Sequence, residues 1–209
     1  MTELEDLSIH VVDDDAAFRR SLVFLFESVG WQVATHASAE ELLAALPDPG
    51  TVGCLVLDIR MPMMSGLELQ QVLHGRGWSV PIVFITGHGD VDLAVQAMKH
   101  GACDFLEKPF KDQALLDAVG RAVKLGCEAR DRSARCEVAR ALLARLSPRE
   151  LEVARLVAQG LPNKLVGRAL DISEKTVHVH RHHVMEKTGV GSAAELARLM
   201  LRADPAWLD

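Results

Sequence analysis

The sequence predicts an α/β domain with a doubly wound, five-stranded parallel sheet, followed by a smaller all-α domain. Three observations predict it. Five short apolar runs each give way to an amphipathic stretch, the strand-like runs cease beyond Lys124, and the charge balance changes sign along the chain. Residues 1–126 carry 9 Lys/Arg against 18 Asp/Glu, whereas residues 140–209 carry 11 against 8. Opposite-signed halves suit two domains, of which only the second is matched to a polyanion.

Each element of the first half follows from its residues. Ile9–Val12 reads as a strand stopping at Asp13, Asp14 and Asp15, with a helix over about 16–29. A short strand at Gln32–Thr35 leads to a helix near 39–46. Cys54–Leu57 stops at Asp58, and a helix covers Gly66 to His74. Pro81–Ile85 stops at Thr86, with a helix near 91–100. Asp104–Leu106 reaches Lys108-Pro109, and a last helix opens near Asp112. Successive strand–helix units imply parallel strands covered on both faces.

In the second half, residues 112–145 read as a nearly continuous helix with a weak point at Gly126 and too poor a second seam for a strong coiled coil. Ser147-Pro148 opens a helix with Glu150 at the capping-box position, and Gly160 closes it. Helices near 162–170, 174–188 and 192–202 follow. The expected division is 1–125, a helical linker over 126–145, and 146–209.

Composition removes several classes. With 49% hydrophobic and 25% charged residues, 209 residues can bury a core, which excludes wholesale disorder. No uninterrupted apolar run approaches the ~20 residues of a bilayer crossing, so no membrane partner is expected. The acidic start (Glu3, Glu5, Asp6) does not suit a secretion signal. Cys54, Cys103, Cys127 and Cys136 lie far apart, as reduced thiols of a cytoplasmic protein do.

In an open parallel sheet, ligands bind beyond the carboxyl ends of the strands. The polar residues gather at those ends: Asp13 and Asp14, Asp58, Thr86 and Lys108. Repelling carboxylates favour a divalent cation, and an oxygen-only site suits Mg²⁺. With a hydroxyl and an ammonium to hold phosphoryl oxygens, the chemistry is phosphoryl transfer to a carboxylate. Singly, each residue has a plainer role, such as helix capping by Asp15; jointly, in this order, they point to a site.

Val11-Val12-Asp13-Asp14-Asp15, Leu57-Asp58-Ile59-Arg60-Met61-Pro62, Phe84-Ile85-Thr86-Gly87-His88-Gly89 and Phe105-Leu106-Glu107-Lys108-Pro109-Phe110 resemble the receiver domain of two-component response regulators. The resemblance spans about 7–125 and implies the flavodoxin-like strand order 2-1-3-4-5. It further implies that Asp58 is the phosphoacceptor. Asp13, Asp14, Asp58 and the Arg60 carbonyl would bind Mg²⁺ (or Mn²⁺), Thr86 and Phe105 would form a switch pair, and Lys108 would pair with a phosphoryl oxygen. Lys108-Pro109 would be cis, and Arg60 and His88 would tune phosphoryl lifetime. Met63 departs from the family, which usually has a small residue there.

Beyond Leu146, a helix started by Pro162-Asn163-Lys164 and running to Leu170, a short turn at Asp171-Ile172-Ser173 and a second, cation-bearing helix have the plan of a helix-turn-helix. Lys175 and Thr176, in its first turn, can meet phosphate. His178 and His182 are spaced for a metal, yet no acidic or cysteine partner completes a site. Leu146-Ser147-Pro148-Arg149-Glu150, Asn163-Lys164, Ile172–Val177 with His180-Arg181, and Ala194-Glu195-Leu196 resemble the LuxR/FixJ-type helix-turn-helix over about 146–202. That resemblance implies DNA contacts from Lys164, Lys175, Thr176, His178, Val179, Arg181 and His182. His178, Val179 and His182 would face base edges, and Arg181 would support through phosphate.

The expected function is a response regulator that is phosphorylated on Asp58 by a sensor histidine kinase, dimerises, and binds promoter DNA, with RNA polymerase as a further partner. It would not be an enzyme beyond slow self-dephosphorylation. Two rivals are a Mg²⁺-dependent phosphatase, disfavoured because Ile59 and Arg60 supply no second acid after Asp58, and a regulator that works without phosphorylation.

Overall fold

The computed structural model describes residues 7–45, 48–87 and 91–208; His88 lies outside them. The chain divides into two compact units, Met1–Ala129 and Arg130–Asp209.

In the first unit, β1 (Ser8–Val12), β2 (Gln32–His36), β3 (Val52–Asp58), β4 (Ile82–Thr86) and β5 (Asp104–Glu107) form one sheet in the order β2-β1-β3-β4-β5. Every pairing is parallel. Period-two alternation sorts the strand residues onto two faces. Leu55, Leu57, Ile82 and Phe84 point toward α2 (Ala39–Ala45), α3 (Gly66–Gly75) and α4 (Val91–Lys99). Cys54, Val56, Val83 and Ile85 point toward α1 (Ala16–Ser28) and the start of α5 (Asp112–Leu143). All of β3 is buried, which explains why its sequence runs apolar without polar alternation until Asp58. Each large core side chain there contributes about 1.5–3 kcal/mol of burial.

Residues 126–145, read above as a linker, are helical as far as Leu143 and divide between the units. Leu115, Val119 and Val123 of α5 enter the sheet core, while Ala139 enters the core of the second unit. Gly126, expected as a weak point, does not interrupt the helix; it packs against Pro81.

The second unit contains α6 (Pro148–Ala158), α7 (Asn163–Leu170), α8 (Glu174–Thr188) and α9 (Ala193–Ala203) around Val153, Val157, Val166, Val177, Val184, Leu196 and Met200. The expected capping box opens α6: Glu150 N–H donates to Ser147 Oγ at 3.3 Å, and Ser147 N–H donates to Glu150 Oε2 at 2.8 Å. A final 3-10 turn at Pro205–Leu208, which the sequence did not signal, places Trp207 against this core. All four cysteines are free thiols.

Two features of the first unit bear on the strand ends. The loop after β3 turns at Met63, whose φ of 67° lies in the left-handed region, as Met64 N–H donates to the Pro62 carbonyl at 2.8 Å. This three-residue turn is strained for a side chain with a Cβ. The thioether is 96% exposed, so its bulk costs backbone energy and does not crowd the loop. A Met63→Gly variant should raise unfolding free energy by about 1 kcal/mol in urea titrations.

The β1–β2 edge buries a histidine pair, with His10 Nδ1 and His36 Nε2 3.0 Å apart and the rings nearly coplanar. One ring must donate and the other accept, so the pair cannot be doubly protonated without breaking this bond. Burial, and then the His36 charge, push His10 down to about 4 from an ordinary 6.5. A depressed pKa contributes stability that is full above the ordinary value and is lost as pH falls toward the depressed one. Lowering the pH from 7 to 4.5 should therefore cost about 1–2 kcal/mol at this pair after solvent screening. The urea midpoint should follow, and a His10→Asn variant should show a flatter profile.

Candidate functional site

The strand order brings the ends of β1, β3, β4 and β5 to one edge, and with them the polar residues that the sequence scatters. Lys108 Nζ donates to Asp13 Oδ2 at 2.8 Å and to Asp58 Oδ1 at 3.2 Å. The ammonium also lies 3.9 Å from the centroid of the Phe18 ring, a cation–π contact. Asp13 is buried; its Oδ1 accepts the Asp15 N–H at 2.8 Å and its carbonyl accepts Arg19 Nη1 at 2.5 Å. Asp15 itself caps α1, accepting the amides of Ala17 and Phe18. Asp14 is exposed beside them, and Arg60 follows β3 on the surface. The Lys108-Pro109 peptide is cis.

Asp58 is held above the usual carboxylate range by burial, which outweighs the attraction of Lys108; Asp13 and Asp14 add repulsion. Burial works against the Lys108 charge, yet its hydrogen bond to Asp13 and the Asp58 and Asp13 charges together hold its pKa above the ordinary lysine value. The phosphoacceptor candidate is thus a partly desolvated carboxylate whose counter-ion is already in place. Its position depends on Gly66, since a Cβ there would lie 2.3 Å from the Asp58 carbonyl oxygen. The glycine lets α3, capped by Ser65 with Glu68, start directly against the end of β3.

Thr86 is buried at the end of β4, and its hydroxyl has no hydrogen-bond partner among the described residues. A buried hydroxyl left unpaired is costly, and this one stands on the strand next to Asp58. Phe105 pairs in register with Phe84, so Thr86 and Phe105 project from the same sheet face, two positions apart. Phe105 is half-buried against the α2–α4 core.

Among the described residues no group of three His, Cys, Asp or Glu side chains has metal-holding geometry. The donors still fit a hard cation: two carboxylates meet at Lys108, with a third acid and backbone carbonyls adjacent. Mg²⁺ characteristically takes one or two carboxylates plus water and phosphate. Sequence reasoning missed Phe18 and Arg19. The signal for Arg19 was present, because a cation in a helix's first turn opposes the helix dipole.

In the second unit, Lys164, Lys175, Thr176, His178, Val179 and His182 are all exposed. They lie on α7 and α8, which are joined by a turn whose Asp171 has a left-handed φ of 54°. Arg181 is half-buried, and its Nη1 donates to Asn163 Oδ1 at 3.1 Å, so it braces α8 against α7. The Thr176 amide and hydroxyl both engage Ser173 Oγ, the cap of α8, at 3.1 and 2.7 Å. Gly167 has a packing role that propensity alone hides. A Cβ there would lie 2.7 Å from the Ile172 carbonyl oxygen, so the tight turn needs glycine.

Glu150 does more than cap α6. Lys187 of α8 donates to both of its carboxylate oxygens, at 2.9 and 2.7 Å. Those bonds, followed by the Ser147 amide, hold the Glu150 carboxyl down to about 2.

The comparisons with known proteins agree with this geometry. Residues 9–120 match the response regulator receiver domain, and residues 144–200 match the bacterial regulatory proteins of the luxR family. The chain is 47% identical to the transcriptional regulatory protein FixJ of Azorhizobium caulinodans, over 98% of this chain and 97% of that protein. It is 47% identical to nodulation protein W of Bradyrhizobium diazoefficiens, over 91% of this chain and 84% of that protein. The structure of the response regulator StyR superimposes with a TM-score of 0.83 at 44% identity, covering 93% of this chain and 98% of that one. Full-length FixJ from B. japonicum gives 0.58 at 45% identity, with 94% and 96% covered. A receiver sheet with its acid pocket, followed by a LuxR-type helix-turn-helix, places this chain in the response regulator family, as a FixJ-like transcriptional regulator.

Proposed function

We propose that Asp58 accepts a phosphoryl group from a sensor histidine kinase and that this controls dimerisation and promoter binding. The observation that carries the reading is the Lys108 ammonium shared by Asp13 and Asp58, with a Thr86 hydroxyl on the adjoining strand that has no partner among the described residues. An Asp58 carboxylate oxygen forms the new P–O bond as the donor's P–N bond breaks, and that electron pair leaves with the donor imidazole. Asp13, Asp14, Asp58 and the Arg60 carbonyl would hold a divalent cation, Mg²⁺ or Mn²⁺, which would supply charge screening between carboxylate and phosphoryl group. Lys108 then pairs with a phosphoryl oxygen, and the Thr86 hydroxyl donates to another. As Thr86 moves, Phe105 turns inward behind it.

Two surfaces support the partners. Phe24, 78% exposed, lines a groove with Phe18, Leu25, Phe110 and Lys108, whose ammonium reaches Asp58; a kinase helix presenting phosphohistidine would dock there. Val95 and Met98 of α4 are half-exposed apolar side chains one helical turn apart, suited to pairing two phosphorylated copies along the α4–β5 face. In the dimer two α8 helices meet a two-fold DNA site, with His178, Val179 and His182 at base edges and Lys164, Lys175, Thr176 and Arg181 on the backbone. The regulator acts in the cytoplasm, where it contacts RNA polymerase, and it is a phosphoacceptor with at most slow self-dephosphorylation. No described helix is long and apolar enough to cross a membrane.

The switch needs roughly 2–5 kcal/mol of differential preference for the active state. Asp58→Asn should abolish labelling by acetyl phosphate and remove phosphorylation-dependent dimerisation in sedimentation velocity. Binding to DNA sites selected from random sequence should weaken as salt rises. Full-stoichiometry labelling of Asp58→Asn would overturn the site, and unchanged promoter output from that variant would favour a regulator independent of phosphorylation.

A further inference from the structure

We propose that Arg19 is a positioning residue for the divalent-cation site, acting through the backbone of Asp13 on the placement of Asp14. This rests on the acid pocket being the cation-dependent phosphoacceptor site argued above.

Asp13 is gripped from several sides. Its N–H donates to the His36 carbonyl at 3.3 Å, its Oδ1 accepts from Asp15, and its Oδ2 accepts from Lys108. Arg19 takes the remaining group, the carbonyl, at 2.5 Å. A peptide unit is planar, so fixing the direction of the Asp13 C=O also fixes the nitrogen and Cα of Asp14. Asp14 is exposed, and its placement comes from the backbone that carries it. Arg19 thereby sets the angle between the two consecutive acids that a single cation must use.

Local preference would not put Arg19 here. It stands in the first turn of α1, a turn without acidic residues, where the dipole favours anions. The charge of the N-cap acid Asp15 beside it offsets part of that cost, and the Arg19 guanidinium is committed to the Asp13 carbonyl.

Charge and positioning predict opposite signs. As a bare positive charge beside the carboxylates, Arg19 would repel a second cation, and its removal would tighten metal binding. As the brace of the Asp13–Asp14 peptide, its removal would weaken metal binding.

The test uses the full chain and Mn²⁺, with free ion counted by electron paramagnetic resonance and thermal melting measured alongside. Arg19→Met should raise the Mn²⁺ dissociation constant about tenfold, the low end for residues that orient metal ligands. Arg19→Lys, which keeps a donor, should recover most of that loss, and neither variant should shift the melting midpoint appreciably. An unchanged or tighter Mn²⁺ constant in Arg19→Met overturns the proposal. So does a weaker constant that merely tracks a lower melting midpoint and is not rescued by lysine. Asp13→Asn and Asp58→Asn report separately on the pocket: if both leave Mn²⁺ binding untouched, the phosphoacceptor reading fails, and the role of Arg19 with it.

Discussion

The ammonium of Lys108 between Asp13 and Asp58 is the constraint around which the first unit is arranged. Two buried carboxylates cannot stand near one another without a cation, and burial alone would drive Asp58 toward its neutral form. The chain meets this requirement with a lysine 50 residues from Asp58 and 95 from Asp13, so the site exists only once β1, β3 and β5 lie in order. The Phe18 ring against it keeps the ammonium partly out of water without neutralising it. Sheet order, the α3 start permitted by Gly66 and the first turn of α1 all serve one small charge cluster.

The second unit meets a different requirement: holding a polar helix with little apolar surface of its own. α8 buries Val177, Val184 and Thr188 and leaves most of its remaining face to solvent. Its C-terminal half is tied to α6 by Lys187 and Glu150, and its middle to α7 by Arg181 and Asn163. Lys187 is exposed and Glu150 buried, so it is the carboxylate whose remaining lone pairs must be satisfied. Glu150 meets that condition by accepting the Ser147 amide as well.

Much of this was legible in the residues. The five strands announced themselves because β3 and β4 are buried on both faces and must run apolar, and because each ends on a polar side chain. Asp58, Thr86 and Lys108 could be found as strand ends, with no knowledge of distance. Phe18 could not, since its partner is an ammonium from far along the chain; Arg19 was marked only by its charge in a first turn, because its partner is a main-chain carbonyl that no side-chain pattern names. Propensity also misjudged Gly126, read above as a weak point of the long helix. It occupies a close approach to Pro81 that only the folded chain reveals, as Gly167 does against the Ile172 carbonyl. The long helix was divided at residue 126 in the sequence, but that its end enters the core of the second unit was not legible, because Ala139 is a small residue in a stretch with a poor apolar seam.

The bracing of α8 has a further consequence. Because its anchors use Arg181, Lys187 and the inward valines, the side chains at 178, 179 and 182 carry almost none of the load that keeps the unit folded. These three positions can be exchanged across generations at small cost in stability. On the DNA contacts proposed above, operator preference could then drift while the scaffold beneath it stays fixed.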